Sequence, residues 1–180
     1  MAAENAGAEL QRRLRACIQD VPDFPRPGIA FKDITPVLSD AALFGDVVRA
    51  LARFADGADL VVGIESRGFI FGAPLALLLG CGFVPFRKPG KLPYRTERVD
   101  YGLEYGTDAL EAHVDAIVPG HRVLIVDDVL ATGGTAAAAA DLVRRLGGEV
   151  LGAAFVLELA SLGGRARLGN LPTDVLLAYE

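Results

Sequence analysis

A pair of acids followed by a glycine-rich turn is the segment of this sequence best suited to chemistry. The acids are Asp127 and Asp128, which come at the end of the apolar run 123–126. Glycine lets a backbone approach a ligand closely, and the N–H groups that open a helix attract anions. This pattern predicts a phosphate cradle beside carboxylates that suit sugar hydroxyls or water molecules on Mg²⁺, rather than a simple capped turn. The cradle residues are Ala131, Thr132, Gly133, Gly134 and Thr135.

Two other segments place charge where an anionic ligand could use it. Glu65, Ser66 and Arg67 follow the apolar run 59–64, and a guanidinium group can pair with two oxygens of one phosphate. The alternative for this segment is a surface ion pair between Arg67 and Glu65. A basic cluster also lies in the acidic chain, where it is either a charge partner for a diphosphate or a solvated loop; its members are Arg87, Lys88 and Lys91.

The elements that must position these residues alternate along the chain. Apolar runs predict strands at 59–64, 83–86, 122–129, 149–157 and 174–178, and periodic apolar positions predict helices at 8–20, 41–55, 69–79 and 136–146. This alternation predicts an α/β fold, a doubly wound and mainly parallel sheet flanked by helices. Ligands of such sheets bind beyond the carboxyl ends of the strands, which is where the charged residues described above fall.

Two segments depart from this alternation. Four prolines exclude a long helix in 21–38, and its interleaved apolar residues indicate an ordered surface segment or small lobe. The segment 87–108 has many charges and little apolar periodicity, and a connection of that length indicates a functional lid, which we expect at about 93–108.

Length and composition exclude several classes of protein. The chain has 180 residues, of which 52% are hydrophobic and 23% charged, and this excludes a disordered protein. Its net charge of −5 excludes a generally basic protein that coats nucleic acids. Two cysteines are too few for a disulfide framework, so we expect a reducing, cytoplasmic setting. The length is typical of one domain, which we expect over residues 1–180. The uncharged stretch 68–86 is broken by glycine and proline, so we expect a buried helix and a strand there, not a membrane span.

The stretch 123–135 closely resembles the signature of type I phosphoribosyltransferases, which bind 5-phosphoribosyl 1-diphosphate (PRPP). The segments 23–36, 63–69, 87–93 and 103–106 look like those of adenine phosphoribosyltransferases, in the same order and spacing. This resemblance covers nearly the whole chain. It implies the type I phosphoribosyltransferase fold, with 21–38 as a hood over the base. It also implies the conversion of adenine and PRPP to AMP and diphosphate, with Mg²⁺, in a cytoplasmic homodimer without nucleic-acid or membrane partners.

The resemblance also assigns roles to individual residues. The cradle would bind the 5′-phosphate, with Asp127 and Asp128 on the ribose hydroxyls. Glu104 matches the family's catalytic glutamate, which manages the proton that adenine loses, and Tyr105 matches a lid residue near the reacting centre. Mg²⁺ would be bound through PRPP and water, without direct side-chain ligands. The diphosphate would meet Glu65, Ser66, Arg67, Arg87 and Lys91, with Arg87 contributed across a dimer interface, and adenine would meet Ala30, Phe31 and Lys32.

Two other functions remain open at this point. A phosphoribosyltransferase for hypoxanthine, guanine or xanthine shares the cradle but needs different contacts to its 6-oxo purine. A regulator without catalysis could keep the cradle as a PRPP sensor, but such a protein is expected to carry a DNA-binding module. The chain has no spare segment for one, which favours the enzyme.

Overall fold

The periodic apolar residues near the N-terminus form the first helix. In the computed structural model, which describes residues 2–103 and 106–180, α1 spans Ala2–Cys17 and buries Leu10 and Leu14. It belongs to the first of two contact units, Met1–Ala50. The other elements of this unit are β1 (Gln19–Val21), β2 (Phe31–Asp33), α2 (Thr35–Ser39) and α3 (Ala41–Leu51), the last of which ends at the first residue of the second unit.

The proline-rich segment is ordered, as predicted, and contains no long helix. β1 and β2 pair antiparallel, and an ion pair between Asp20 and Lys32 joins them. Pro36 lies in the first turn of α2, where the missing N–H of proline costs no helical hydrogen bond. An ion pair of 2.5 Å between Arg13 and Asp46 connects α1 with α3.

The second unit, Leu51–Glu180, contains the alternating elements. It opens with a 3-10 turn at Ala52–Phe54, where the predicted helix 41–55 ends. Another 3-10 turn, at Ala160–Leu162, follows β8. In chain order, the remaining elements are β3 (Leu60–Ile64), α4 (Arg67–Leu79), β4 (Gly82–Phe86), β5 (Thr96–Leu103), β6 (Gly106–His113), β7 (Arg122–Leu130), α5 (Gly134–Arg145), β8 (Glu149–Leu159), α6 (Gly164–Leu168) and β9 (Thr173–Tyr179).

Five of these strands form one parallel sheet in the order β4-β3-β7-β8-β9, which confirms the predicted fold class. Val62 and Ile64 of β3 pack in a buried apolar cluster with residues of α5. Val61, between them, faces α4, because a Cβ atom on Gly72 would lie 3.5 Å from its side chain. Successive strand residues point to opposite faces, so α4 and α5 cover opposite faces of the sheet.

The segment 87–108 is more regular than predicted. Half of it belongs to an antiparallel pair, β5 and β6, in which Thr96 pairs with His113 and Leu103 with Gly106. Val99 and Tyr101 are buried and alternate with the charged residues Arg98 and Asp100. This alternation is typical of a strand with one buried face. The strand was not predicted because the many charged residues of the segment leave few apolar positions.

The uncharged stretch 68–86 divides into the predicted helix and strand. α4 ends at Gly80, which has a left-handed backbone, and β4 begins two residues later. In the described part of the chain, no helix is long and apolar enough to cross a membrane.

Candidate active site

The sheet changes its direction of winding between β3 and β7, and the candidate site lies there. From β3 the chain passes through α4 to the outer strand β4, whereas from β7 it passes through α5 to β8 on the other side. The loops after β3 and β7 therefore leave the same sheet edge in opposite directions and open a crevice. These two loops carry the charged and glycine-rich segments that the sequence singles out.

The turn after β7 has the shape that the glycine pair predicts. Gly133 has a φ of +76°, a left-handed conformation that favours glycine, and a Cβ atom there would collide with the carbonyl oxygen of Gly164. No side chain among the described residues caps the start of α5. The first N–H groups of this twelve-residue helix are therefore available to an anion. All five predicted cradle residues line one pocket at this point, which also includes Asp127 and Phe155.

The two acids at the end of β7 differ in their surroundings. Asp128 is buried, whereas Asp127 keeps part of its surface open to the crevice. Desolvation by the surrounding protein, followed by the neighbouring Asp128 charge, raises the pKa of Asp127 well above its ordinary value. Burial also raises the pKa of Asp128, although the positive charge of Arg67 opposes this shift. In this environment a ligand that supplies hydroxyl donors or positive charge would be favoured.

Arg67 approaches Asp128 across the crevice. Its Nε atom lies 2.5 Å from Oδ2 of Asp128, in an ionic contact that lacks the alignment of a hydrogen bond. The ion pair of Arg67 is thus with Asp128, and Glu65, its partner in the alternative interpretation, pairs with Arg87. Arg67 is the first residue of α4, and the preceding Glu65–Ser66 peptide bond is cis.

Glu65 holds the basic segment instead. Its carboxylate accepts hydrogen bonds from Nε of Arg87 at 3.1 Å and from the backbone N–H of Lys88 at 2.7 Å. The hydrogen bond from Arg87 is the main cause of the lowered pKa of Glu65. The ionised Glu65 therefore keeps the start of the basic segment beside the loop that follows β3.

Lys88 is the member of the basic cluster that reaches the cavity. Its Nζ atom donates a hydrogen bond to the Tyr101 hydroxyl at 2.6 Å and pairs with Asp108. Burial disfavours the charge on Lys88, but the hydrogen bonds to Asp108 and Tyr101 outweigh it and raise its pKa. Lys88 was predicted as a member of this cluster, but the cluster residues predicted to bind diphosphate were Arg87 and Lys91. β6 must pack beside β4 to bring Asp108 to Lys88, and no strand was predicted at β6.

The loops after β3 and β7 meet around a cavity of about 250 Å³. Predicted residues from both loops line it, together with Lys88. Arg87 and Lys91 are not among the lining residues. The complete lining is Glu65, Ser66, Arg67, Lys88, Asp127, Asp128 and Thr135.

The remaining predicted site residues lie elsewhere or outside the described residues. Ala30, Phe31 and Lys32 belong to the first unit, where the Phe31 ring lies 5.1 Å from the Phe24 ring in an edge-to-face arrangement. Glu104 and Tyr105 lie outside the described residues. Within the described ranges, no group of three or more His, Cys, Asp or Glu side chains could hold a metal ion.

Comparison with known proteins agrees with this geometry. The family profile described as "Phosphoribosyl transferase domain" matches residues 38–167. The adenine phosphoribosyltransferase of Myxococcus xanthus is 58% identical over 174 residues, which cover 96% of this chain and 92% of that protein. The adenine phosphoribosyltransferase of Anaeromyxobacter dehalogenans is 59% identical over 168 residues, covering 92% of this chain and 98% of that protein.

Solved structures show the same similarity. The crystal structure of adenine phosphoribosyltransferase from Thermoanaerobacter pseudethanolicus superposes with a TM-score of 0.91 and 51% identity, covering 94% of this chain and 99% of that one. The Saccharomyces cerevisiae enzyme, solved with an imino-altritol bisphosphate and adenine, superposes with a TM-score of 0.89 and 44% identity over 94% and 99% of the two chains. This chain therefore belongs to the adenine phosphoribosyltransferases, within the phosphoribosyltransferase family.

Proposed function

We propose that this chain transfers the 5-phosphoribosyl group of PRPP to adenine, forming AMP and diphosphate in purine salvage. The observation that carries the proposal is the crevice between β3 and β7, which joins an anion cradle, two acids and two basic side chains. Family membership supports adenine as the acceptor, and the Saccharomyces cerevisiae relative was solved with adenine bound.

The 5′-phosphate of PRPP binds at residues 131–135 in this proposal. The open N–H groups of α5 and the hydroxyls of Thr132 and Thr135 donate to its oxygens. Asp127 and Asp128 then accept hydrogen bonds from the ribose hydroxyls. Thr135 and Asp127 line both the cradle and the larger cavity. They therefore mark where the ribose would connect the 5′-phosphate in the cradle to the diphosphate in the larger cavity.

The diphosphate occupies the larger cavity, between the loop after β3 and the basic segment. Arg67 and Lys88 supply positive charge there, and Ser66 lines the same wall. Glu65 contributes by holding Arg87 and Lys88 in place, because its carboxylate is already engaged with them. Arg87 and Lys91 extend the positive potential around the leaving group, and Arg87 would have to exchange its ion pair with Glu65 to serve a second subunit of a homodimer.

Bond cleavage at C1 of the ribose builds positive charge on the sugar and negative charge on the departing diphosphate. Arg67 and Lys88 stabilise the departing charge, while the cradle fixes the 5′-phosphate and so orients C1. Adenine in its N7–H form attacks C1 through the N9 lone pair as the C1–O bond to the diphosphate breaks, and Glu104, hydrogen-bonded at N7, accepts the N7 proton. Phe31 stacks on the purine, and backbone groups of Ala30 and Lys32 meet its edge.

Mg²⁺ fits the donors of this cavity as a cation that enters with PRPP. Asp127 and Asp128 would hold it through water molecules, because magnesium prefers oxygen ligands and keeps several waters. Desolvation raises the pKa values of both carboxyls, the positive charge of Arg67 opposes this shift, and a further cation beside them would oppose it in the same way. When bound, Mg²⁺ would neutralise charge on the diphosphate.

The setting of the reaction is also proposed. We assign the chain to the cytoplasm, as one phosphoribosyltransferase domain with 21–38 as its hood. The segment 93–108 closes as a lid over the reacting sugar, which keeps water from the cation-like transition state. The exposed apolar side chains Leu77 and Leu78 of α4 offer a surface for a second copy, in keeping with a homodimer.

An assay with three bases tests this function. Adenine, hypoxanthine and guanine are each mixed with PRPP, Mg²⁺ and the purified chain, and product formation is followed by absorbance. We expect AMP from adenine and no product from the 6-oxo purines. Turnover of hypoxanthine or guanine would assign the chain to the 6-oxopurine enzymes, and PRPP binding without turnover of any base would indicate a sensor.

A further inference from the structure

The N-terminal turn of α6, at Gly163–Arg165, packs against the outside of the phosphate cradle. We propose that Gly164, Arg165 and Glu158 are positioning residues for the cradle, with the Glu158–Arg165 ion pair anchoring the turn that fixes the cradle's shape. This inference rests on the proposed role of 131–135 as the 5′-phosphate site. None of the three residues lines either pocket, so their effect acts through the cradle backbone.

The contact between the turn and the cradle is made by backbone on both sides. A Cβ atom on Gly133 would collide with the carbonyl oxygen of Gly164. A Cβ atom on Gly164 would collide with the carbonyl oxygen of Ala131 and lie 3.1 Å from the nitrogen of Gly133. The turn therefore leaves no space for a side chain, and a shift of the turn must move Ala131 or Gly133.

Arg165 ties this turn to two strands of the sheet. Its Nε donates a hydrogen bond to Oε2 of Glu158 at 2.9 Å, and its Nη1 donates to the carbonyl oxygen of Thr173 at 2.8 Å. Thr173 opens β9, and Glu158 pairs in register with Leu130, the residue immediately before the cradle. One guanidinium group thus fixes the turn relative to the strand that leads into the cradle.

The burial of Glu158 makes this pair more than a surface contact. Its side chain is 7% exposed, against 47% for that of Arg165. Exposed ion pairs contribute little, whereas removing one partner from a buried charge leaves that charge uncompensated. Loss of Arg165 should therefore release the turn and disturb a cradle whose N–H groups must be preorganised to bind a phosphate.

The two halves of the site allow a direct test, because they bind different ligands. Ribose 5-phosphate probes the cradle, and diphosphate with Mg²⁺ probes the Arg67 side, each by calorimetry on the full chain. In Gly164→Ala we expect the affinity for ribose 5-phosphate to fall about 10²-fold, the scale for a displacement of about 1 Å. The affinity for diphosphate should stay within about twofold, because the turn contacts Ala131 and Gly133, neither of which lines the diphosphate cavity.

Substitution of Arg165 provides a second test, in which the ion pair is removed without adding a side chain to the turn. Arg165→Met should weaken ribose 5-phosphate binding selectively, and Arg165→Lys, which keeps a charge for Glu158, should recover part of the affinity. Combining Glu158→Gln with Arg165→Met should weaken ribose 5-phosphate binding no further than Arg165→Met alone, because the two changes remove the same ion pair.

Gly148→Ala is the matched control. A Cβ atom there would meet side-chain atoms of Ile117 and Val143 at 2.9 Å, beyond the end of α5 that lies opposite the cradle. It should lower the melting temperature without a selective loss of ribose 5-phosphate. The positioning role is overturned if Gly164→Ala and Arg165→Met bind ribose 5-phosphate as the parent does, or lose both ligands equally. A parent chain that binds no ribose 5-phosphate would instead overturn the proposed function.

Discussion

The Nε atom of Arg67 lies 2.5 Å from Oδ2 of Asp128, so the cation assigned to the diphosphate is paired with an acid assigned to the ribose. Asp128 comes from the end of β7 and Arg67 from the start of α4, and the pair spans the crevice between them. In the proposed binding mode, PRPP would offer phosphate oxygens to Arg67 and hydroxyl groups to Asp128. Substrate binding can therefore replace this ion pair with partners for both side chains.

Replacing Arg67 should weaken diphosphate binding. We expect Arg67→Met to lower the affinity for diphosphate by about 10- to 100-fold, the range for hydrogen bonds to charged groups, with Arg67→Lys in between. Calorimetry with diphosphate and Mg²⁺ measures the effect. Arg49→Met is a matched control, because Arg49 is an exposed arginine whose 2.7 Å contact with Asp46 lies in the first unit. An unchanged affinity in Arg67→Met would remove Arg67 from the diphosphate site.

The raised pKa of Asp127 predicts an unusual dependence of stability on pH. The native protein binds the Asp127 proton more tightly than the unfolded chain does, because desolvation raises the native pKa above its ordinary value of 3.8. Stability from this group is therefore present below about pH 4 and is lost as the pH rises through the raised native pKa. Above that window the protein holds a desolvated charge beside Asp128.

Asp127→Asn should remove the destabilisation that the desolvated Asp127 charge causes. Its amide oxygen can still accept the 2.9 Å hydrogen bond from the backbone N–H of Asp128. We expect the ligand-free variant to melt at a higher temperature than the parent at about pH 8, and the difference to shrink towards about pH 4. Thermal unfolding across this range measures it, with the exposed Asp174→Asn on β9 as control. A lower melting temperature for Asp127→Asn at about pH 8 would contradict the assigned direction of the shift.

Local patterns in the sequence predicted the sheet and the cradle because both depend on neighbouring residues. The apolar run before Asp127 and Asp128 became β7, and the glycine pair became the turn into α5. The predicted ligand edge follows from strand direction alone, since parallel strands end at the same edge. For these elements, the prediction needed no knowledge of distant contacts.

Side-chain partners could not be predicted in this way, because they depend on which strands lie side by side. Arg67 pairs with Asp128 rather than with nearby Glu65, since β3 and β7 are neighbours in the sheet. Glu65 instead pairs with Arg87, which follows β4 on the other side of β3. The role proposed for Glu158 and Arg165 likewise required the position of the turn against the cradle.

Replacing Phe31 should raise the KM for adenine and leave the KM for PRPP unchanged. The ring belongs to β2 and lies edge-to-face with the half-exposed Phe24. We expect Phe31→Leu to raise the KM for adenine about tenfold, the scale for loss of one base–aromatic stack, while the KM for PRPP stays unchanged. Steady-state kinetics with each substrate varied measures the split. Phe44→Leu, at a partly buried position of α3, is the control for loss of an aromatic ring in the same unit. Equal KM values for adenine in Phe31→Leu and the parent would rule out stacking by Phe31.

Replacing Glu104 should slow the chemical step without weakening the binding of PRPP. The residue lies outside the described ranges, but the preceding strand approaches the cradle: the carbonyl oxygen of Gly102 lies 3.5 Å from where a Cβ atom on Gly134 would be. We expect Glu104→Gln to lower kcat by about 10²- to 10⁴-fold, as for loss of a general acid–base group, with little change in PRPP affinity. Glu149→Gln, which changes an exposed glutamate at the start of β8, is the matched control and should turn over normally. If Glu104→Gln retains the kcat of this control, proton transfer must be assigned to another group.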